Sequence, residues 1–179
     1  IEVFSSQKLG NISHHEANFI TIANRKSPLI LASEGGHKKI IKHLVKSGSE
    51  INHANNDGFT PLYVASHNGH LETVKYLVQS GAEIDRPKNT GATPLGVASQ
   101  KGNELIVEFL VKSGADINCA DKNGCTALHD ALFDGFDKIV ECLVKSGAKV
   151  NRADNDGFTP LYVASQNGRL ETVKYLVQS

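Results

Sequence analysis

The chain has 179 residues, of which 40% are apolar and 21% charged, and its 19 Lys and Arg balance its 19 Asp and Glu. That composition excludes a disordered polyelectrolyte and leaves no net field to draw in nucleic acid, so a nucleic-acid partner is disfavoured. No run approaches the roughly 18 to 20 apolar residues of a membrane-spanning helix, and Cys119, Cys125 and Cys142 show no paired spacing, which points to reduced thiols in an intracellular protein, cytoplasmic or nuclear.

The sequence opens on Ile1 with neither an initiator Met nor a signal-peptide pattern, which suggests a fragment of a longer protein. Residues 1–26 do not share the pattern of the rest of the chain. Ser13-His14-His15-Glu16 resembles a capping box and predicts a short helix through about Ala23, in a degenerate N-terminal cap or a linker.

From Ser27 onward the chain is periodic. Thr60-Pro61-Leu62, Thr93-Pro94-Leu95 and Thr159-Pro160-Leu161 are separated by multiples of 33 residues, and Ser27-Pro28-Leu29 and Thr126-Ala127-Leu128 fill the remaining slots. In the copy beginning at Asn55, Asn55-Asn56-Asp57-Gly58 is a turn signal, with Gly58 free to take positive φ. Thr60 is an N-cap and Pro61 suits the first turn of a short helix, which Asn68-Gly69 stops. A second helix is predicted from Leu71 to about Gln79, with Leu71, Val74, Leu77 and Val78 at helical spacing, before Ser80-Gly81-Ala82 ends it and Glu83-Ile84-Asp85 runs on as an extended arm. Helices this short are marginal alone, since isolated helices below roughly 12 to 15 residues barely form in water. Each unit must therefore bury Leu62, Ala65, Val74, Leu77 and Val78 against its neighbours.

The period, the turn with two helices and the Thr-Pro-Leu-x-x-Ala pattern resemble the ankyrin repeat. The resemblance covers units 27–59, 60–92, 93–125 and 126–158 with a partial unit 159–179, and implies an all-α solenoid of stacked helix-turn-helix units with short β-hairpin or loop extensions. One departure is the histidine that usually follows Thr-Pro-Leu. Only His129 fits, while Ile30, Tyr63, Gly96 and Tyr162 stand there in the other copies. Residues 56–80 and 155–179 differ only at His67/Gln166 and His70/Arg169, which points to duplication of a block within a longer array, monomeric as a fragment. The end at Ser179 keeps the internal apolar pattern and reads as a truncation.

No nucleophile and base share a strand-turn-helix context, and no phosphate loop occurs, so no enzyme activity is expected. His67 with His70, and Cys119 with Cys125, lack the paired spacings of a zinc site, so neither metal nor cofactor is expected; His37 and His70 read as caps of the helices they precede. Lysines on the second helices lie among glutamates and read as a solvated face.

The resemblance implies a scaffold or adaptor that binds a protein or peptide in a concave groove lined by hairpin tips and first helices. Carried across the register, the tip positions are Asn56, Asp57, Phe59, Asn89, Thr90, Lys122, Asn123, Cys125, Asn155, Asp156 and Phe158. The first-helix positions are Tyr63, His67, Gln100, Lys101, Phe133, Asp134, Tyr162 and Gln166. Phe59 and Phe158, at turn tips with little of their own unit to pack on, are expected anchors, with Tyr63, Phe133 and Tyr162 beside them or, for the tyrosines, packed between turns. The alternative is a regulatory or structural spacer segment of a larger enzyme or channel. Asn118 is similar to the hairpin asparagine that asparaginyl hydroxylases modify in ankyrin proteins, and equally fits a turn-bonding role.

Overall fold

The computed structural model describes residues 26–179, so the short helix expected to reach about Ala23 lies outside the described residues. Each copy from Ser27 onward forms a pair of helices. The first helices are α1 (Pro28–Glu34), α3 (Pro61–His67), α5 (Pro94–Gln100), α7 (Ala127–Asp134) and α9 (Pro160–Gln166). They alternate with the second helices α2 (Lys38–Lys46), α4 (Leu71–Gln79), α6 (Glu104–Lys112), α8 (Asp137–Lys145) and α10 (Leu170–Val177). This is an all-α repeat solenoid.

The first helices start where the sequence says. Ser27, Thr60, Thr93 and Thr159 each accept a hydrogen bond on the side-chain oxygen from the backbone N–H three residues on, at 3.1–3.3 Å. The second helices end in paired turns: Gly48 donates to the Val45 carbonyl at 3.1 Å and Ser49 to the Leu44 carbonyl at 3.0 Å. Gly48 takes a φ of +83°, the left-handed turn that closes this motif.

Small residues set the stacking. Ala65, Ala98, Ala131 and Ala164 recur at one place on the first helices and are all buried, so successive first helices approach closely. The second helices meet through larger groups, including Leu77, Leu110 and Leu143, and pack less intimately. Leu62, Ala65, Val74 and Leu77 are buried as expected, whereas Val78 is only half-buried at the edge of the same core.

The extensions between pairs are turns. The N–H of Asn55, Lys88, Asp121 and Asp154 donates to the carbonyl of Phe59, Ala92, Cys125 and Phe158, at 2.9–3.1 Å. Among the described residues the one isolated β-bridge joins Ala120 and Thr126. On the second helices, ion pairs such as Lys38–Glu72 at 2.7 Å and Lys145–Glu141 at 3.0 Å form the solvated face. No helix among the described residues is long and apolar enough to cross a membrane.

Candidate functional site

The turn tips stack into a hydrogen-bonded ladder. The N–H of Asn89 donates to the Asp57 carbonyl at 3.0 Å, that of Lys122 to Thr90 at 3.0 Å, and that of Asn155 to Asn123 at 2.9 Å. Side-chain amides reinforce two rungs, Asn89 Nδ2 to the Asn56 carbonyl at 2.7 Å and Asn155 Nδ2 to the Lys122 carbonyl at 2.8 Å. Each turn is also held from within. Asn55 Oδ1 accepts from the N–H of Asp57 and Phe59, Asp121 Oδ1 from Asn123 and Cys125, and Asp154 Oδ1 from Asp156 and Phe158. Asn56, Asp57, Asn89, Thr90, Lys122, Asn123, Asn155 and Asp156 are all exposed along this edge.

On the first helices, His67, Gln100, Phe133 and Gln166 share one register position and are exposed, as are Lys101, Asp134 and Tyr162. Tyr63 does not join them. It retains 4% exposure, so it packs between turns and offers a partner no contact surface. Burial, and secondarily the Asp130 charge, pushes its phenol up to about 12.

The tip phenylalanines do have a partner within their own unit. Phe59 lies 5.2 Å from Tyr63 between ring centroids, and Phe158 stacks on Tyr162 at 4.7 Å and 14°. The reason is spacing: the tyrosine one turn into the helix meets the residue preceding the N-cap. Phe59 is half-buried under a further group, the Lys88 ammonium, which stands 5.4 Å from its ring centroid and 5.6 Å from that of Tyr63. Cys125, at the equivalent tip, is half-buried with Sγ 4.0 Å from Asp154 Oδ2. Burial first, then the surrounding carboxylates, push its thiol up to about 11, which makes it a poor nucleophile.

Two neighbours in α7 are perturbed by burial. His129 is fully buried; its Nδ1 accepts from the Thr126 N–H at 3.2 Å, so Nε2 carries the proton and donates to the Phe158 carbonyl at 3.2 Å in the next copy. Burial holds its pKa below the ordinary imidazole value and keeps the ring neutral. Asp130 follows it, close enough to Gly96 that a Cβ there would lie 3.2 Å from Oδ2. Desolvation, reinforced by Asp121 and Asp134, raises its carboxyl to about 7. Sequence reasoning passed over both Asp130 and Lys88. The signal was a broken register, with Asp130 where other copies have Val64, Val97 and Val163, and Lys88 where they have Asn55, Asp121 and Asp154.

The expected capping role of His70 is corrected. His37 and His70 do stand at the N-cap positions of α2 and α4, but neither side chain bonds its own helix; His70 Nε2 donates at 2.9 Å to the Glu34 carbonyl at the end of α1 in the preceding copy. Asn103 does the same to Ser66 at 2.8 Å. The cause is the N-cap geometry, with ψ near 70°, which turns the side chain back onto the neighbouring unit. Asn118 also links copies: Oδ1 accepts from the Lys149 N–H at 2.9 Å and Nδ2 donates to the Gly147 carbonyl at 3.2 Å. Asn52 and Asp85 make the corresponding bonds to Glu83 and Asp116.

A family model described as ankyrin repeats (3 copies) matches the chain at residues 6–88, 29–121 and 95–179. No curated protein matches it.

Proposed function

The chain belongs to the ankyrin-repeat family, and from that premise we propose that it is a protein-binding module whose partner, a protein or peptide, lies across the tips and the exposed side of the first helices. Ankyrin repeats are generally protein–protein interaction modules and typically not enzymes. The ladder of tips supports the reading most. Because Asn89, Lys122 and Asn155 each bond the preceding tip through the backbone, the exposed side chains between them are fixed in relative position before a partner arrives. That lowers the ordering cost of association. Within this surface Phe133 and the Phe158–Tyr162 pair offer apolar area, and Asn89, Gln100, Lys101, Lys122 and Asp134 offer a polar rim.

Chemical-shift mapping with a peptide selected by display against the whole chain tests this. Shifts at the backbone amides of Asn89, Gln100, Lys122 and Phe133 are expected. Shifts confined to α2, α4, α6 and α8 would place binding on the opposite side and end the proposal.

A further inference from the structure

We propose that the joint between the copies 93–125 and 126–158 parts at its first helices when Asp130 ionises and closes when Asp130 takes up a proton. At the other joints, side chains bond the carbonyls that end the preceding first helix. His70 Nε2 and Asn68 Nδ2 donate to the Glu34 carbonyl at 2.9 and 3.0 Å. Asn103 Nδ2 donates to Ser66 at 2.8 Å, and Asn167 Nδ2 to Leu132 at 3.1 Å. Between α5 and α7 the same register positions hold Phe136 and Asp134, and among the described residues neither donates to an α5 carbonyl; the Phe136 ring lies against Gly102 instead. The tips repeat the omission. Asn89 and Asn155 reinforce their rungs with side-chain amides, whereas Lys122 at the same place has the backbone bond to Thr90 alone. The arms that leave the second helices stay fastened, with Asn118 bonded to Lys149 and Gly147 and accepting from Arg152 Nη1 at 2.8 Å. The two copies are therefore tied at the arms, while α5 and α7 are held by packing and a single rung.

Asp130 is set into that packing. Gly96 leaves a notch where other copies carry Ile30, Tyr63, His129 and Tyr162, and Asp130 Oδ2 reaches it, 3.2 Å from where a Cβ would stand. Val64, Val97 and Val163 are buried at the place of Asp130 in their own copies. Burial, then Asp121 from the tip and Asp134 one turn on, disfavour its charge, and Cys125 and Tyr63 feel that charge in turn. Helix α5 has no titratable side chain and α9 only Tyr162, and no described cation, Lys101 and Lys122 included, forms an ion pair with Asp130. The carboxyl keeps its proton in the closed joint up to about 7, whereas an open joint returns it to water and its ordinary 3.8. Opening therefore grows easier as pH rises from about 4 to about 7 and levels off above that. Gln100 and Lys101 lie on one side of the joint and Phe133 and Asp134 on the other, so pH would reshape any surface that spans them. The joint itself belongs to the chain alone and does not rest on the protein-binding reading.

The test is amide hydrogen exchange of the whole chain, followed by NMR at about pH 5 and about pH 7.5 and corrected for the intrinsic rates. Helices this short fray once a neighbour parts from them, so exchange reports the opening. Protection of Ala98 in α5 and Ala131 in α7 should fall by about tenfold or more between the two conditions, because each pH unit in this window can shift the opening by up to about tenfold. That of Ala65 in α3 should change by less than about twofold on the same scale. Asp130→Asn keeps the shape without the charge and should abolish the fall, and so should Asp130→Val, which carries the residue of three other copies. Protection that is the same at both pH values in the parent overturns the joint. A fall that persists in both variants also overturns it, since another group then titrates. An equal fall at Ala65, Ala98 and Ala131 does so too, since the stack then unfolds as one body.

Discussion

Residues 56–80 and 155–179 have nearly the same sequence and the same local structure, yet they inhabit different environments. Leu62 is 1% exposed and its counterpart Leu161 37%. Tyr63 is buried and Tyr162 is among the most exposed aromatics. The helices themselves match: α3 and α9 run over equivalent residues, and Thr60 and Thr159 cap them alike. What differs is whether residues 86–113 or their like lie alongside. Local sequence settles the helix, and the neighbour settles what that helix contributes, as in any stack whose stability is shared between units and interfaces.

The most forceful way to break the comparison is to truncate the matched leucines. Leu62→Ala should cost about 2–5 kcal/mol, the range for a buried leucine, whereas Leu161→Ala should cost less than half of that. Urea titrations of both variants check it; equal costs would mean that stacking does not govern the difference. Next in size are the tip glycines. Gly58 and Gly157 have φ of +83° and +85°, so alanine in either meets a left-handed penalty of about 1–2 kcal/mol. A Cβ at Gly58, however, would lie 2.6 Å from the Asn89 backbone nitrogen, while one at Gly157 meets nothing within 4 Å. Gly58→Ala should therefore cost about 1–3 kcal/mol more, the usual range for overpacking, as read from the same titrations.

The helices, their caps, the glycine turns and the buried alanines were legible because each depends on a short local pattern repeated at one period. The surface was legible as a set of register positions, and Gln100, Lys101, Phe133 and Asp134 do share the exposed side of the first helices. Register could not say that Tyr63 would be buried while its twin was open, because that depends on groups in another copy, Lys88 among them. His70 shows the same limit. Its position suggested a helix cap, but its hydrogen bond crosses to a carbonyl 36 residues earlier.

Asp130 sharpens the comparison between copies at a single position. Its native pKa of about 7 lies above its ordinary 3.8, so the folded protein binds this proton more tightly than the unfolded chain. The contribution to stability is complete below about 3.8 and is lost as pH rises through about 7, where a poorly solvated carboxylate remains. Asp130→Val restores the residue that three other copies carry. It should stabilise the protein by about 1–3 kcal/mol at pH 8, given about 1.4 kcal/mol per pKa unit, and the gain should shrink by at least half at pH 4.5. His129, neutral by burial, loses its contribution on the acid side, but it does so in both proteins and cancels. A gain independent of pH would assign the effect to packing alone.

The smallest effect isolates the cation itself. Lys88→Met keeps the apolar stem over Phe59 and Tyr63 and removes only the ammonium. A partly covered cation–π contact is worth about 0.5–1 kcal/mol, so the variant should lose that much in a urea titration, with no loss of helicity by circular dichroism. Because Lys88 lies over Phe59 and Tyr63, and no described cation lies over Phe158 and Tyr162, the change moves the ring-proton shifts of the first pair and leaves those of the second untouched. Were the methionine variant as stable as the parent, the stem alone would account for the cover on the internal pair.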